Sequence, residues 1–168
     1  KAVDVRSDPT VPTTVFSHGT GGQTTTNTLA GVNLAPVARI GAVKTTGSGT
    51  NTKTVVEATT TASLADINLL GGLITVQGVT VAAHSSLAAK PTTDCTILGL
   101  QINGAKTPVK VKPNTVINLG VAKVTLCQEG VSGKRAGVRG LYVVLGKAGF
   151  GLPAGAEIEV AAASAMVK

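Results

Sequence analysis

The chain has very few aromatic side chains and few charged ones. Of its 168 residues, 2% are aromatic and 14% are charged, with no Trp, one Tyr (Tyr142) and two Phe (Phe16 and Phe150). Proteins that bind single-stranded nucleic acid stack its bases on aromatic side chains, and no helical motif for reading a duplex is visible. The sequence therefore predicts no nucleic-acid partner.

Long hydrophobic runs are also missing. No stretch of eighteen or more apolar residues is free of polar interruption, so no membrane span is expected. The chain begins KAVDVRSDPT, which lacks the charged-then-apolar pattern of a signal peptide. We interpret the chain as a processed product whose leader has been removed.

The residues that usually perform catalysis or bind metals are scarce and scattered. The two cysteines and the two histidines, His18 and His84, do not have the close spacing of metal ligands. The eight carboxylates form no convincing acid–base pair. We therefore predict a non-enzymatic protein with no catalytic residues, no metal site and no cofactor.

Small and β-branched residues dominate the composition, which favours an all-β chain. The stretch from Ala62 to Ala83, ASLADINLLGGLITVQGVTVAA, lacks helical spacing and predicts two core strands that meet at Gly71-Gly72. Its apolar phase reverses at Gly78, which predicts a bulge with one extra residue.

Short strands and turn residues fill the rest of the chain. Leu29 to Val43 predicts short strands with a kink at Pro36, and Thr45 to Thr61 predicts a turn followed by an exposed strand. The segment from His84 to Thr93 is expected to be a loop, and Cys95 to Ile102 a strand that leads into an Asn103-Gly104 hairpin. Some nine or ten such strands predict one antiparallel β-sandwich domain, jelly-roll or Ig-like, over residues 29–168.

Residues 1–28 differ from this pattern. They contain Pro9 and Pro12, a glycine turn at 19–22 and the polar tract Gln23 to Thr28, so only Val11 to Phe16 is expected to form a strand. The segment is too polar and too interrupted to build a core. We interpret it as an extended N-terminal arm.

Cys95 and Cys127 are the only cysteines. Each lies in or beside a predicted strand, and an even count in an exported chain favours a disulfide. We predict that the two residues are bridged.

The net charge is +7, and the excess is concentrated in the C-terminal half. One interpretation is that these residues form solvated faces and protect sheet edges from pairing. The other is association with an anionic polymer such as an acidic cell-wall glycan. The residues expected to form such a surface are Lys106, Lys110, Lys112, Lys134, Arg135 and Arg139.

The central stretch and the segments after it resemble the secreted actinobacterial proteins grouped as choice-of-anchor P. The similarity covers roughly Leu29 to Ala165, and its most specific parts are Leu69 to Thr75, Gly99 to Gly104, and Pro113-Asn114-Thr115. The resemblance implies a secreted or wall-associated bacterial surface domain whose activity is generally unassigned.

These features together predict a secreted, cell-surface structural protein that assembles with copies of itself into a fibre or surface layer. The arm would add a strand to a neighbour's sheet, with Val11, Val15 and Phe16 as its apolar contacts. A glycan- or cell-wall-binding adhesion module is the alternative, ranked second because such sites use aromatic platforms. The threonine tracts are also typical of ice-binding faces, but the regular Thr-x-Thr repeat of such faces is missing from the sequence.

Overall fold

The computed structural model describes residues 20–107 and 111–168. The chain folds as two antiparallel β-sheets packed face to face, so the predicted all-β sandwich is confirmed. The strands are β1 (Thr20–Leu29), β2 (Val32–Leu34), β3 (Ala38–Ile40), β4 (Ala42–Asn51), β5 (Val56–Leu69), β6 (Ile74–Ser86), β7 (Thr92–Leu98), β8 (Gln101–Ile102), β9 (Ala105–Lys106), β10 (Thr115–Asn118), β11 (Ala122–Ser132), β12 (Arg135–Leu145) and β13 (Glu157–Met166).

The larger sheet, sheet A, has the order β1-β4-β5-β6-β8-β9, with β7 also paired to β6 and the short β2–β3 hairpin paired to β5. The smaller sheet, sheet B, has the order β10-β11-β12-β13. The core lies between them and consists mainly of Val, Leu, Ile and Ala side chains from β5, β6, β11, β12 and β13. With so few aromatics, the two sheets are separated by small side chains.

The β5–β6 hairpin is the centre of sheet A. A short 3₁₀ turn, Leu70–Gly72, joins the two strands at the predicted glycine pair, and Gly71 and Gly72 both have positive φ. The apolar phase of β6 reverses between Val76 and Val79, as predicted. The prediction of an extra residue is wrong, because β5 carries a matching irregularity at Asp66 and the pairing register is unchanged.

Sheet B contains the same kind of irregularity across three strands. Cys127 and Ala161 have positive φ, and they flank Gly140 on the strand between them. A side chain at Gly140 would point directly at sheet A, because its Cβ would lie 2.3 Å from Cγ1 of Val79. Of the two glycines of β12, Gly137 and Gly140, Gly140 is therefore the one that lies closer to sheet A.

Three local predictions are wrong. The tract Gln23 to Thr28 belongs to β1, because it pairs along its length with β4 although it has no apolar alternation. The Gly/Ser/Asn segment after Thr45 lies inside β4, and the turn falls at residues 52–55, where the Thr52 hydroxyl accepts a hydrogen bond from the amide of Val55. The loop predicted from His84 is shorter, since β6 continues to Ser86.

Other local predictions are confirmed. The Asn103-Gly104 turn joins β8 to β9 with positive φ at both residues, as a type I′ hairpin requires. The strand predicted over Cys95 to Ile102 is confirmed only in part, because a break at Gly99 and Leu100 divides it into β7 and β8. Short strands flank Pro36, which follows a cis peptide bond.

Candidate functional site: a groove beside the last strand

Strand β13 lies at one end of sheet B, and no strand of residues 20–107 or 111–168 pairs with its outer edge. The hydroxyl of Thr60 on β5 donates a hydrogen bond to the carbonyl oxygen of Ser164, at 3.0 Å. The backbone of Ser164 therefore points away from β12. Backbone N–H and C=O groups of every second residue in a strand point to the same side, so those of Ala162 and Met166 also point away from β12. The Thr60 hydroxyl therefore occupies the middle of this edge, between Ala162 and Met166.

A groove of about 790 Å³ follows this edge. One wall is formed by β4 and β5, where Gly47, Ala58 and Thr60 lie on the inner face of sheet A. The floor is formed by β11, β12 and β13, where Gly130, Gly137 and Ser164 lie side by side in register. These residues project little or nothing above the sheet, so the floor leaves room for the side chains of an incoming segment.

Two of the exposed large hydrophobic residues also line this groove. Met166 on β13 is 51% exposed and lies on the same face as Ser164, whereas Val131 on β11 is 52% exposed and lies on the opposite face, level with the buried Ala136. The partly exposed Ala162 adds further apolar surface. The groove is therefore a place where apolar side chains of a partner would be removed from water.

Arg139 and the side chains around it form one polar margin of the groove. Its Nε lies 2.6 Å from Oε2 of Glu159, and its Nη1 donates to Oε1 of Gln128 at 3.0 Å. Its guanidinium carbon is 5.1 Å from the ring centroid of Tyr142. With its charge paired and its side chain held on three sides, Arg139 is a fixed element of this surface.

Tyr142 extends the same cluster away from the groove. Partial burial raises the pKa of the Tyr142 phenol, and a hydrogen bond and charge repulsion from Glu157 raise it further. Arg139 acts in the opposite direction. The net effect holds the phenol in its neutral form, in which it can donate to the Glu157 carboxylate.

The structure places the predicted basic residues in different parts of the sandwich. Lys106 lies on β9, at the end of the molecule where β6 begins, whereas Lys134 lies in the β11–β12 turn, near the end of β6. Thirteen residues of β6 separate the two ends, which is roughly 40 Å of strand. Lys112 precedes β10, and only Arg135 and Arg139 line the groove. Lys110 lies outside the described residues.

Lys134 holds the loop between β6 and β7. Its Nζ donates to the carbonyl oxygens of Ser86, Leu87 and Ala89, at 3.0, 2.8 and 3.1 Å. Its own carbonyl accepts a hydrogen bond from the hydroxyl of the buried Ser85. Lys134 therefore ties sheet B to the loop of sheet A, a role that the sequence did not indicate.

The predicted disulfide is confirmed. Cys95 on β7 is bonded to Cys127 on β11, with their Cα atoms 5.7 Å apart, so the bond links the two sheets. Close by, the hydroxyl of Thr93 donates to the carboxylate of Glu129. These contacts fasten β7 of sheet A to β11 of sheet B.

The three residues predicted as the contacts of the arm, Val11, Val15 and Phe16, lie outside the described residues. The described chain begins at Thr20, where β1 pairs with Asn51 next to the β4–β5 turn. The groove itself was not found from the sequence. Its signal is one small residue in each of three strands, Gly130, Gly137 and Ser164, and these residues form a row only when the strand order is known.

No family model, curated protein or solved structure matches this chain. Among the described residues, no group of three or more His, Cys, Asp or Glu side chains is placed to hold a metal ion. In the same part of the chain, no helix has the length and apolarity needed to cross a bilayer. The fold and the site define a disulfide-linked β-sandwich in which no described strand pairs with the outer edge of β13.

Proposed function

We propose that this protein is a non-catalytic, extracellular structural subunit that assembles with copies of itself by strand addition. The segment before β1 in one copy enters the groove beside β13 in the next. The observation that carries this proposal is the open edge of β13 with its groove of about 790 Å³. The disulfide and the resemblance to secreted surface proteins support the extracellular location.

The chemistry of the arm fits the groove. Val11, Val15 and Phe16 supply apolar side chains, and the exposed Met166 lies on the same face as the groove floor of Gly130, Gly137 and Ser164. Full burial of a Val or Phe side chain contributes about 1.5–3 kcal/mol. New backbone hydrogen bonds to Ala162 and Met166 add directional pairing to this apolar contact.

Assembly of this kind is directional. Each copy donates the segment before β1 to one neighbour and accepts the same segment of another neighbour beside its own β13. Such heterologous contacts propagate as a filament unless the rotation between copies closes a ring. We therefore expect fibres or a surface layer from the mature protein.

The test compares the full chain with a variant that lacks residues 1–19. The full chain should form oligomers whose size increases with concentration, measured by analytical ultracentrifugation and electron microscopy. The truncated variant should stay monomeric, and a peptide of residues 1–19 should bind it. If both forms are monomeric at high concentration and the peptide does not bind, the proposal is wrong.

A second candidate function is binding to an anionic envelope polymer, favoured by the exposed Arg135 at the start of β12. Charge attraction of exposed groups weakens as salt rises, since the screening length is about 8 Å at physiological ionic strength. Retention of the protein on purified cell wall should therefore fall with salt. Replacement of Arg135 by Gln should reduce this retention, whereas retention that is independent of salt would exclude it.

A further inference from the structure

The outer face of sheet A carries a grid of hydroxyl groups. Thr24, Ser48 and Thr59 lie side by side on β1, β4 and β5, and the next row is Thr26, Thr46 and Thr61. Directly paired residues of an antiparallel sheet point to the same face. All six positions of these two rows therefore present a hydroxyl on one surface, which we call the hydroxyl grid.

The face opposite the grid is the inner one. The residues between the grid positions on β4 and β5, such as Thr45, Gly47 and Ala62, are buried. Thr24 and Thr26 are exposed, and the other four grid residues are partly exposed. The grid is therefore a solvent-facing surface.

The hydroxyl surface continues beyond the six central positions. A third row contains Thr28 and Ser63 on either side of Lys44, and Thr80 follows Ser63 on β6. On β7, Thr96 extends this row to the edge. Tyr and Phe are absent from these rows, and their only aliphatic residue is alanine.

The spacing of the grid is regular and its side chains are restrained. Neighbouring strands lie about 4.8 Å apart, and alternate residues of one strand about 6.8 Å apart. Threonine is stiff because it is branched at Cβ. Contacts at the border fix it further: the Thr59 hydroxyl lies 2.9 Å from Nδ1 of His84, and Thr80 donates to Ser63 at 3.3 Å.

We propose that the hydroxyl grid binds ice. The two repeat distances of the grid are close to those of the oxygen atoms on the prism face of ice, so hydroxyls on this lattice place bound water in an ice-like arrangement. The methyl groups of the threonines, set between the hydroxyls, restrict the neighbouring water further. Thr24, Thr26 and Thr28 alternate along β1, and the pairing of β1 with β4 and of β4 with β5 extends this Thr-x-Thr pattern across three strands.

A polysaccharide fits this face less well. A neutral hydroxyl that exchanges water for a sugar hydroxyl gains only about 0.5–1.5 kcal/mol net. Sugar-binding faces add aromatic stacking, for which these rows have no side chain. Ice removes this difficulty, because the ligand is water and the hydroxyls need not be dehydrated.

The test measures inhibition of ice recrystallisation and thermal hysteresis with the full-length protein. Thr61→Tyr places a ring above the centre of the grid while keeping a residue that favours strands. Thr26→Tyr makes the same change on the exposed β1, in case the first variant does not fold. Thr75→Tyr is the matched control, because Thr75 also lies partly exposed on β6 but outside the grid.

The unmodified protein and Thr75→Tyr should both slow ice recrystallisation, and both grid variants should lose most of this effect. Circular dichroism should show the same strand content in all four proteins. The proposal is overturned if the unmodified protein has no more effect than an equal mass of albumin. It is also overturned if Thr75→Tyr loses the effect to the same extent as the grid variants. A further contrary result would be grid variants that still slow ice recrystallisation but no longer adsorb to cellulose or chitin.

Discussion

Replacement of Gly140 by alanine tests the close approach of the two sheets. The added Cβ would lie 2.3 Å from Cγ1 of Val79 and 3.2 Å from Cβ of Ala161. Carbon atoms in contact prefer separations of about 3.5–4.0 Å, so either the Val79 side chain or strand β12 must move by more than an ångström. Extra volume in a packed core typically costs about 1–3 kcal/mol.

Part of this cost is offset in the unfolded chain. Alanine has fewer unfolded conformations than glycine, which stabilises the fold by about 0.4–1 kcal/mol when the backbone is compatible. We therefore expect Gly140→Ala to lower the free energy of unfolding by about 1–2 kcal/mol, which combines these two terms. Gly137→Ala is the control on the same strand, because its nearest neighbour would be the Ala163 carbonyl oxygen at 4.0 Å.

The assay is urea denaturation with the disulfide intact, followed by circular dichroism. Gly137→Ala should be neutral or slightly stabilising. The double variant Val79→Ala, Gly140→Ala should be less destabilised than the sum of its single variants, since the clashing methyl has been removed, and contacting pairs couple by about 0.5–3 kcal/mol. If Gly140→Ala is as stable as the unmodified protein, or if the double variant shows no coupling, the described contact between the sheets is wrong.

Three further outcomes follow from the contacts described. Replacement of Cys95 and Cys127 by alanine should cost about 3.5 kcal/mol in urea denaturation, because the disulfide closes a loop with a sequence separation of 32 residues; a loss near zero would contradict this. The single Tyr142 should titrate above its ordinary pKa of about 10 by tyrosinate absorbance, and less so after Glu157→Gln. Because the raised pKa favours the neutral phenol in the folded state, stability should fall as the pH rises through that range, and Tyr142→Phe should lack this loss. Lys134→Met should speed amide exchange in the loop between β6 and β7 without changing that of β10. Equal exchange rates of this loop in the variant and the unmodified protein would contradict the role of Lys134 in holding it.

The parts of the fold that were predicted from sequence are local. The β5–β6 hairpin is encoded by dense aliphatic residues around Gly71-Gly72, and the β8–β9 hairpin by Asn103-Gly104. The disulfide follows from cysteine parity. Each of these signals lies within one short segment or depends on a simple count.

The parts that were missed depend on pairing between distant segments. Strand β1 has no apolar alternation of its own and is a strand because β4 pairs with it. The groove depends on the placement of Thr60 beside Ser164, which are 104 residues apart in sequence. The hydroxyl grid likewise becomes visible only when three strands are set in register.

The most direct test of strand addition is a cross-link between the arm and the groove. Ser164→Cys places a thiol at the edge of β13, and Val11→Cys, Val15→Cys or Phe16→Cys places one in the arm. Because the native cysteines are bonded to each other, only the new thiols can react. Each arm variant is mixed with the groove variant under mild oxidation, with Val116→Cys on β10 as the control for random collision.

Strand addition between copies predicts disulfide-linked heterodimers of at least one arm variant with Ser164→Cys and none with Val116→Cys. A chain that carries both the arm and the groove cysteine should then form a ladder of linked oligomers. If no arm variant links to Ser164→Cys, or if the double variant forms only an internal bond within a monomer, the account of assembly by strand addition is contradicted.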